Sequence, residues 1–163
     1  MIELIGNISD IASLVIILAT VVAWFKGILP AVIRLGLGLA KRKIVVFAKS
    51  DNATSLINLL TDSKLISKNN ISQITKKDDF GKASEATLFL VYWPDWKKDL
   101  INIKNLKRDS DALVIYAPKS EGYIPDDLMA ELDSARNVTV VNFRGRLLND
   151  IVTAMITTGY TKG

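Results

Sequence analysis

Between Ile11 and Leu29 the chain carries a single charge, Lys26, and from Ile11 to Phe25 it carries none. A soluble domain has little use for so long an apolar run, whereas a bilayer span needs about 20 predominantly apolar residues. The run does not read as a secretory signal. Its leader holds Glu3 and Asp10 without a basic side chain, and bulky Trp24 and Phe25 stand where small cleavage-site residues would be. Near the far end, Lys26 can carry its ammonium to the headgroups on an apolar stem, at the level of an interfacial Trp24. The competing reading is a buried or oligomer-forming helix of a soluble protein.

The sequence therefore predicts a leader over 1–10, a transmembrane helix over 11–29 and a connector over 30–43, ahead of a domain over 44–163. Pro30 is expected to break or kink the helix, leaving a short amphipathic second helix with a basic end on the membrane surface. Basic residues follow the span at Lys26, Arg34, Lys41, Arg42 and Lys43, while the leader is acidic. The positive-inside bias then places the amino terminus outside a cell inner membrane and residues 44–163 in the cytoplasm. The basic triplet would sit against anionic lipid.

Gly6, Asp10, Ser13, Ile17, Thr20, Trp24 and Gly27 recur at spacings of three and four, so they share one helix face. Small and hydroxyl-bearing residues are what span–span interfaces use. Repeated by symmetry in a homo-oligomer, Asp10, Ser13, Ile17, Thr20 and Trp24 could line a narrow pore with Asp10 at its mouth. Alternatively, Ser13 and Thr20 bond back to their own helix.

From Lys43 onward short apolar runs alternate with amphipathic segments. Strands are predicted at 43–48, 71–75, 87–93, 112–117 and 138–143, and helices at 54–66, 79–86, 96–107, 125–136 and 147–160. Strands this apolar must be covered on both faces. The pattern predicts an α/β domain: a five-stranded parallel sheet of flavodoxin-like order 2-1-3-4-5 with helices on both sides.

The chain contains neither cysteine nor histidine. That removes disulfides, thiolate chemistry, imidazole bases and the usual zinc ligands, so no metal or cofactor is expected and the case for an enzyme weakens. With 21 basic and 17 acidic residues the net charge is +4, and the 41–43 triplet supplies most of the excess. No broad nucleic-acid-binding face is implied.

Ligand sites of open α/β sheets lie beyond the carboxyl ends of the strands. The segments there read KSDNATS, YWPDWKK, PKSEGY and RGR. They bring together aromatics able to stack on a base, Tyr92, Trp93, Trp96 and Tyr123, and phosphate-holding groups, Lys49, Ser50, Lys119, Arg144 and Arg146. This composition suits a nucleotide or oligonucleotide ligand, although neither Gly-rich phosphate-loop fingerprint occurs. Ser50 and its neighbours Asp51 and Asn52 could equally cap a helix.

The strand–helix order over roughly 43–160, with DFGKASEATLFLVYWPDW as helix then strand, resembles a TIR-like domain. Asp99 falls in the helix where NAD-cleaving TIR domains carry an acidic residue. One membrane helix fused to a small Rossmann-like domain also resembles the membrane effectors of bacterial anti-phage defence, whose cytoplasmic sensor, CARF-like in some, gates or clusters membrane helices. The resulting expectation is an oligomeric bitopic effector that senses a nucleotide-type ligand or a partner and forms a pore or disrupts the membrane. The alternatives are a membrane-anchored nucleotide or NAD hydrolase using Asp95, Asp99 or Glu121, and a non-catalytic tether for a soluble protein.

Overall fold

The computed structural model describes residues 2–158, with side chains from Ser13 onward apart from several positions between 31 and 40. The chain divides into two compact units, Met1–Leu37 and Gly38–Gly163.

The first unit is formed by helix α1, Ile2–Ala40, which at 39 residues runs past the unit's end. At ~1.5 Å per residue its length is about 58 Å, well over the ~30 Å of a hydrocarbon core. The window Ser13–Pro30 has a mean hydropathy of 2.0 and none of it is buried, so the helix is long and apolar enough to cross a membrane. The expected break at Pro30 is absent: the proline lies inside a continuous helix, so residues 30–40 form no separate second helix. Proline deletes one backbone hydrogen bond and crowds the preceding turn. The helix-compatible residues on either side carry it through that defect.

The second unit is the predicted sheet. Strands β1 (Ile44–Phe47), β2 (Ile71–Ile74), β3 (Leu88–Tyr92), β4 (Ala112–Tyr116) and β5 (Val138–Val141) lie in the order β2-β1-β3-β4-β5. All four pairings are parallel, with Phe47 opposite Val91 and Tyr92 opposite Tyr116. Every residue of β1, β3 and β4 is buried, as their unbroken apolar sequences require of central strands covered on both faces. The edge strands are half exposed, which is why ISQI and VTVV mix polar residues into their runs.

Side chains alternate across the sheet. Ile44, Val46, Leu88, Leu90, Tyr92, Val114 and Tyr116 pack against α2 (Ser50–Asp62) and α6 (Arg144–Thr157). Val45, Phe47, Phe89, Val91, Trp93 and Ile115 pack on the other side, against the 3₁₀ segment Lys77–Glu85 and the helices α3 (Trp93–Trp96), α4 (Leu100–Leu106) and α5 (Asp126–Asp133). There Phe47 is the hub: its ring centroid lies 5.7 Å from Phe80, 5.9 Å from Phe89 and 5.7 Å from Trp96.

Three local features differ from the sequence reading. Helix α2 starts at Ser50 rather than 54, placing Asp51 and Asn52 inside its first turn instead of at its cap. There Asp51 complements the helix dipole. The single helix expected over 96–107 is split into α3 and α4, because Pro94 stands in the first turn of α3 and starts a helix immediately after β3. The basic triplet is also divided. Lys41 is exposed, Arg42 is only 4% exposed, and Lys43 pairs with Glu85, holding that carboxyl below the ordinary carboxylate range. No contiguous three-charge patch remains to face lipid.

Candidate functional site

With this strand order the switch point of the sheet lies between β1 and β3. The chain fills it with its own groups. The backbone N–H of Lys49, at the start of α2, donates to Asp95 Oδ2 at 2.7 Å, so a carboxylate of the chain occupies the amino end of that helix. The Lys49 ammonium lies 5.2 Å from the Trp96 ring centroid. Trp93 and Trp96 are 3% and 2% exposed, and their rings belong to the core. The expected stacking platform is therefore not available at these two tryptophans. Pro94 turns the chain into a helical turn that tucks both indoles under the sheet.

An open cleft of about 230 Å³ lies instead on the α2–α6 side of the carboxyl edge. Asn52 and Ser55 come from α2, Tyr92 and Tyr116 from the ends of β3 and β4, Ser120 and Glu121 from the connection after β4, and Arg144 from the first position of α6. Alternation places Tyr92 here, on the opposite face from Trp93, so the two adjacent aromatics cannot share a ligand.

The floor of the cleft is a tyrosine pair with ring centroids 5.8 Å apart. The Tyr92 hydroxyl donates to Glu121 Oε1 at 2.5 Å. Burial, and then this bond to a carboxylate, push the phenol well above its ordinary range, so it remains a hydrogen-bond donor. Tyr92 itself is 5% exposed, so it can offer an edge and a hydroxyl but no open ring face.

Arg144 closes one side. Its Nη2 donates to the Ser55 carbonyl at 3.1 Å and to Ser55 Oγ at 2.8 Å, bridging the amino ends of α2 and α6. Phe143 at the cap of α6 offers no side-chain acceptor; its carbonyl accepts from the Arg146 amide at 3.1 Å, and the other first-turn amides of that helix add donors beside the guanidinium. On the rim, Lys119 Nζ lies 4.9 Å from the centroid of the half-exposed Phe143 ring, and Tyr123, 76% exposed, belongs to the same connection as Lys119. Chemically, the cleft offers the Arg144 cation and hydroxyl groups beside the Glu121 carboxylate, with an exposed aromatic–cation pair at its edge.

Of the residues nominated from sequence, Tyr92 and Arg144 line this cleft, and Lys119 and Tyr123 stand on the connection that borders it. Lys49 and Ser50 face the filled switch point and solvent rather than the cleft, with Ser50 in a left-handed conformation at φ 45°. Arg146 is exposed and lies 3.8 Å from Asp150. Phe143, which the sequence reading leaves out of the site, closes the run VTVVNF immediately ahead of RGR, and that position is the available signal.

The three carboxylates weighed for catalysis are each engaged: Asp95 with the Lys49 amide, Asp99 with Lys77 at 2.6 Å, and Glu121 with Tyr92. Among the described residues no group of three or more acidic side chains could hold a metal ion.

On α1, Ser13, Ile17, Thr20 and Trp24 are exposed, and Trp24 packs edge-on against Phe25 at 5.4 Å. The Thr20 hydroxyl donates to the Ile16 carbonyl at 2.8 Å, within its own helix. The Asp10 side chain lies outside the described residues. Comparisons with protein-family models, curated proteins and solved structures find no match to this chain.

Proposed function

We propose that the chain is a single-span membrane protein whose α/β domain senses a nucleotide-type anion and, in a homo-oligomer, gates or clusters the membrane helices. In this reading α1 crosses a cell inner membrane with the amino terminus outside, and the flavodoxin-like, TIR-like domain lies in the cytoplasm. Pore formation or membrane disruption follows when ligand binds, an activity that suits anti-phage defence. The observation that supports it most is the joining of an unburied apolar helix to a sheet whose carboxyl-edge cleft is closed by an arginine. The phosphate contacts fall to Arg144 and the amides of α6, and the base contact to Phe143 with Lys119.

Calorimetric titration of the full chain in detergent with nucleoside phosphates, NAD and short oligonucleotides tests the sensing step. One of these should bind with one site per chain. Arg144→Ala should weaken it roughly 10–100-fold, the scale of a lost hydrogen bond to a charged group. Arg146→Ala, outside the cleft, should leave affinity within about twofold, as a solvent-exposed charge does. Absence of binding, or binding indifferent to Arg144, would remove the nucleotide reading and leave the membrane tether for a protein partner.

A further inference from the structure

Helix α6 is held at both ends by arginines that come from opposite edges of the sheet. At its amino end Arg144 lines the cleft and is fixed on Ser55. At its carboxyl end Arg42 Nη2 donates to the Met155 carbonyl at 2.7 Å and also to the Thr158 carbonyl. Between them Leu147, Ile151 and Met155 are buried on one stripe against the sheet. The 14 residues of α6 span about 21 Å at ~1.5 Å per residue, so the helix connects the two edges as one rigid piece.

The lower clamp is unusual in its source. The last carbonyls of a helix have no partner within it and are commonly met by a glycine turn, by water or by a basic side chain in the last turn. Helix α6 has no basic residue in its last turn. The Ala154 carbonyl is met by the Thr158 amide and hydroxyl, but the Met155 carbonyl is met by an arginine 113 positions away in sequence, drawn from a segment directly after α1, which ends at Ala40. Arg42 is 4% exposed while Lys41 and Lys43 on either side are exposed. Alternation carries it onto the same face as Ile44 and Val46, toward α6. A guanidinium donating through a fixed planar fork tolerates little displacement of its acceptors.

Resting on the ligand reading above, we propose that α6 is a coupling strut and Arg42 its positioning residue. A ligand anion that competes with Ser55 for Arg144 shifts α6, and the shift loosens or tightens the Arg42 clamp at the point where the chain leaves α1. By reciprocity, the state of the clamp sets the affinity of the cleft.

The chain has no cysteine, so Lys41→Cys, at an exposed position, takes one spin label without further changes. The full chain is placed in lipid nanodiscs. Label mobility is read by electron spin resonance, and amide exchange is read over residues 153–158. Arg42→Ala should raise that exchange roughly tenfold or more, the scale of a charged hydrogen bond lost. A cap with no coupling role would do the same.

The deciding readout is at the other end. Arg144→Ala should alter the mobility of the label at 41 when Arg42 is present and have no added effect in the Arg42→Ala background. Arg42→Lys should restore the response in part, and it serves as the reporter if Arg42→Ala does not fold. Effects of Arg144→Ala that are absent at position 41, or that add independently of Arg42, overturn the strut. Inorganic pyrophosphate, used as the probe anion, should change label mobility in the wild-type background and not in Arg42→Ala, with its binding followed by calorimetry in both. Failure of pyrophosphate to bind counts against the cleft as an anion site, while the ligand-free arm still decides the strut.

Discussion

A chain carrying Leu14→Arg and Leu18→Arg together should be released from membranes by alkaline carbonate, while the wild-type chain stays in the pellet. Both leucines are exposed on α1, at 64% and 65%, and neither belongs to the polar stripe. An arginine near the centre of a span costs about 2.5–3.5 kcal/mol on insertion scales and less toward its ends. Leu18 lies near the centre and Leu14 closer to one end, so the pair shifts the insertion equilibrium by roughly 10²-fold or more. Four residues apart, the two charges stand on one face and repel each other as well. If α1 were instead a soluble oligomerisation helix, the wild-type chain would itself be extracted. Carbonate resistance of the double variant equal to wild type would equally refute the span.

The second large effect is expected in the sheet. Phe47→Ala should lower the unfolding free energy of the domain by about 3–5 kcal/mol, the range for truncating a buried aromatic. Phe47 is fully buried and touches three other aromatic rings, one of them Trp96 of α3. Its loss therefore leaves a cavity shared by the sheet, the 3₁₀ segment and α3, with rings too rigid to collapse into it. Domain stabilities run at about 5–15 kcal/mol, so this one change removes a large share. Urea unfolding of the full chain in detergent, followed by tryptophan fluorescence, measures it. A shift below about 1 kcal/mol, the size of a tolerated surface change, would mean that Phe47 is not the centre of that core.

The central strands were legible because contiguous apolar runs such as IVVF, LFLVY and ALVIY can be satisfied only inside a sheet covered on both faces. Strand order followed from the repeated strand–helix alternation. Position along an element was readable, but burial against a partner element was not. Trp93 and Trp96 looked like a stacking surface because they follow a strand; contacts with Phe47 and Phe80, brought from elsewhere in the chain, decide that Trp96 is core. Alternation alone could have warned that Tyr92 and Trp93 face opposite ways. The same parity could have separated Arg42 from Lys41 and Lys43, where net charge suggested one lipid-facing patch.

Pro30 misled for a different reason. Proline's cost of about 3 kcal/mol in a helix interior is local, whereas the surrounding sequence is apolar and helix-compatible for many residues on both sides. The cleft was legible only in part. Arg144 was visible as a cation at a carboxyl edge, but its bond to Ser55 depends on how α2 and α6 lie across the sheet, which no local pattern encodes.

The claim that ligand binding at the domain acts on the membrane helices is tested most directly by conductance. Purified full-length protein in a planar bilayer should give discrete current steps when the nucleotide that titrates at the Arg144 cleft is added on the side facing the domain. The steps should disappear in Arg144→Ala, whose spans are unchanged. Silent bilayers from intact oligomers, with every nucleotide that binds the domain, would contradict the account.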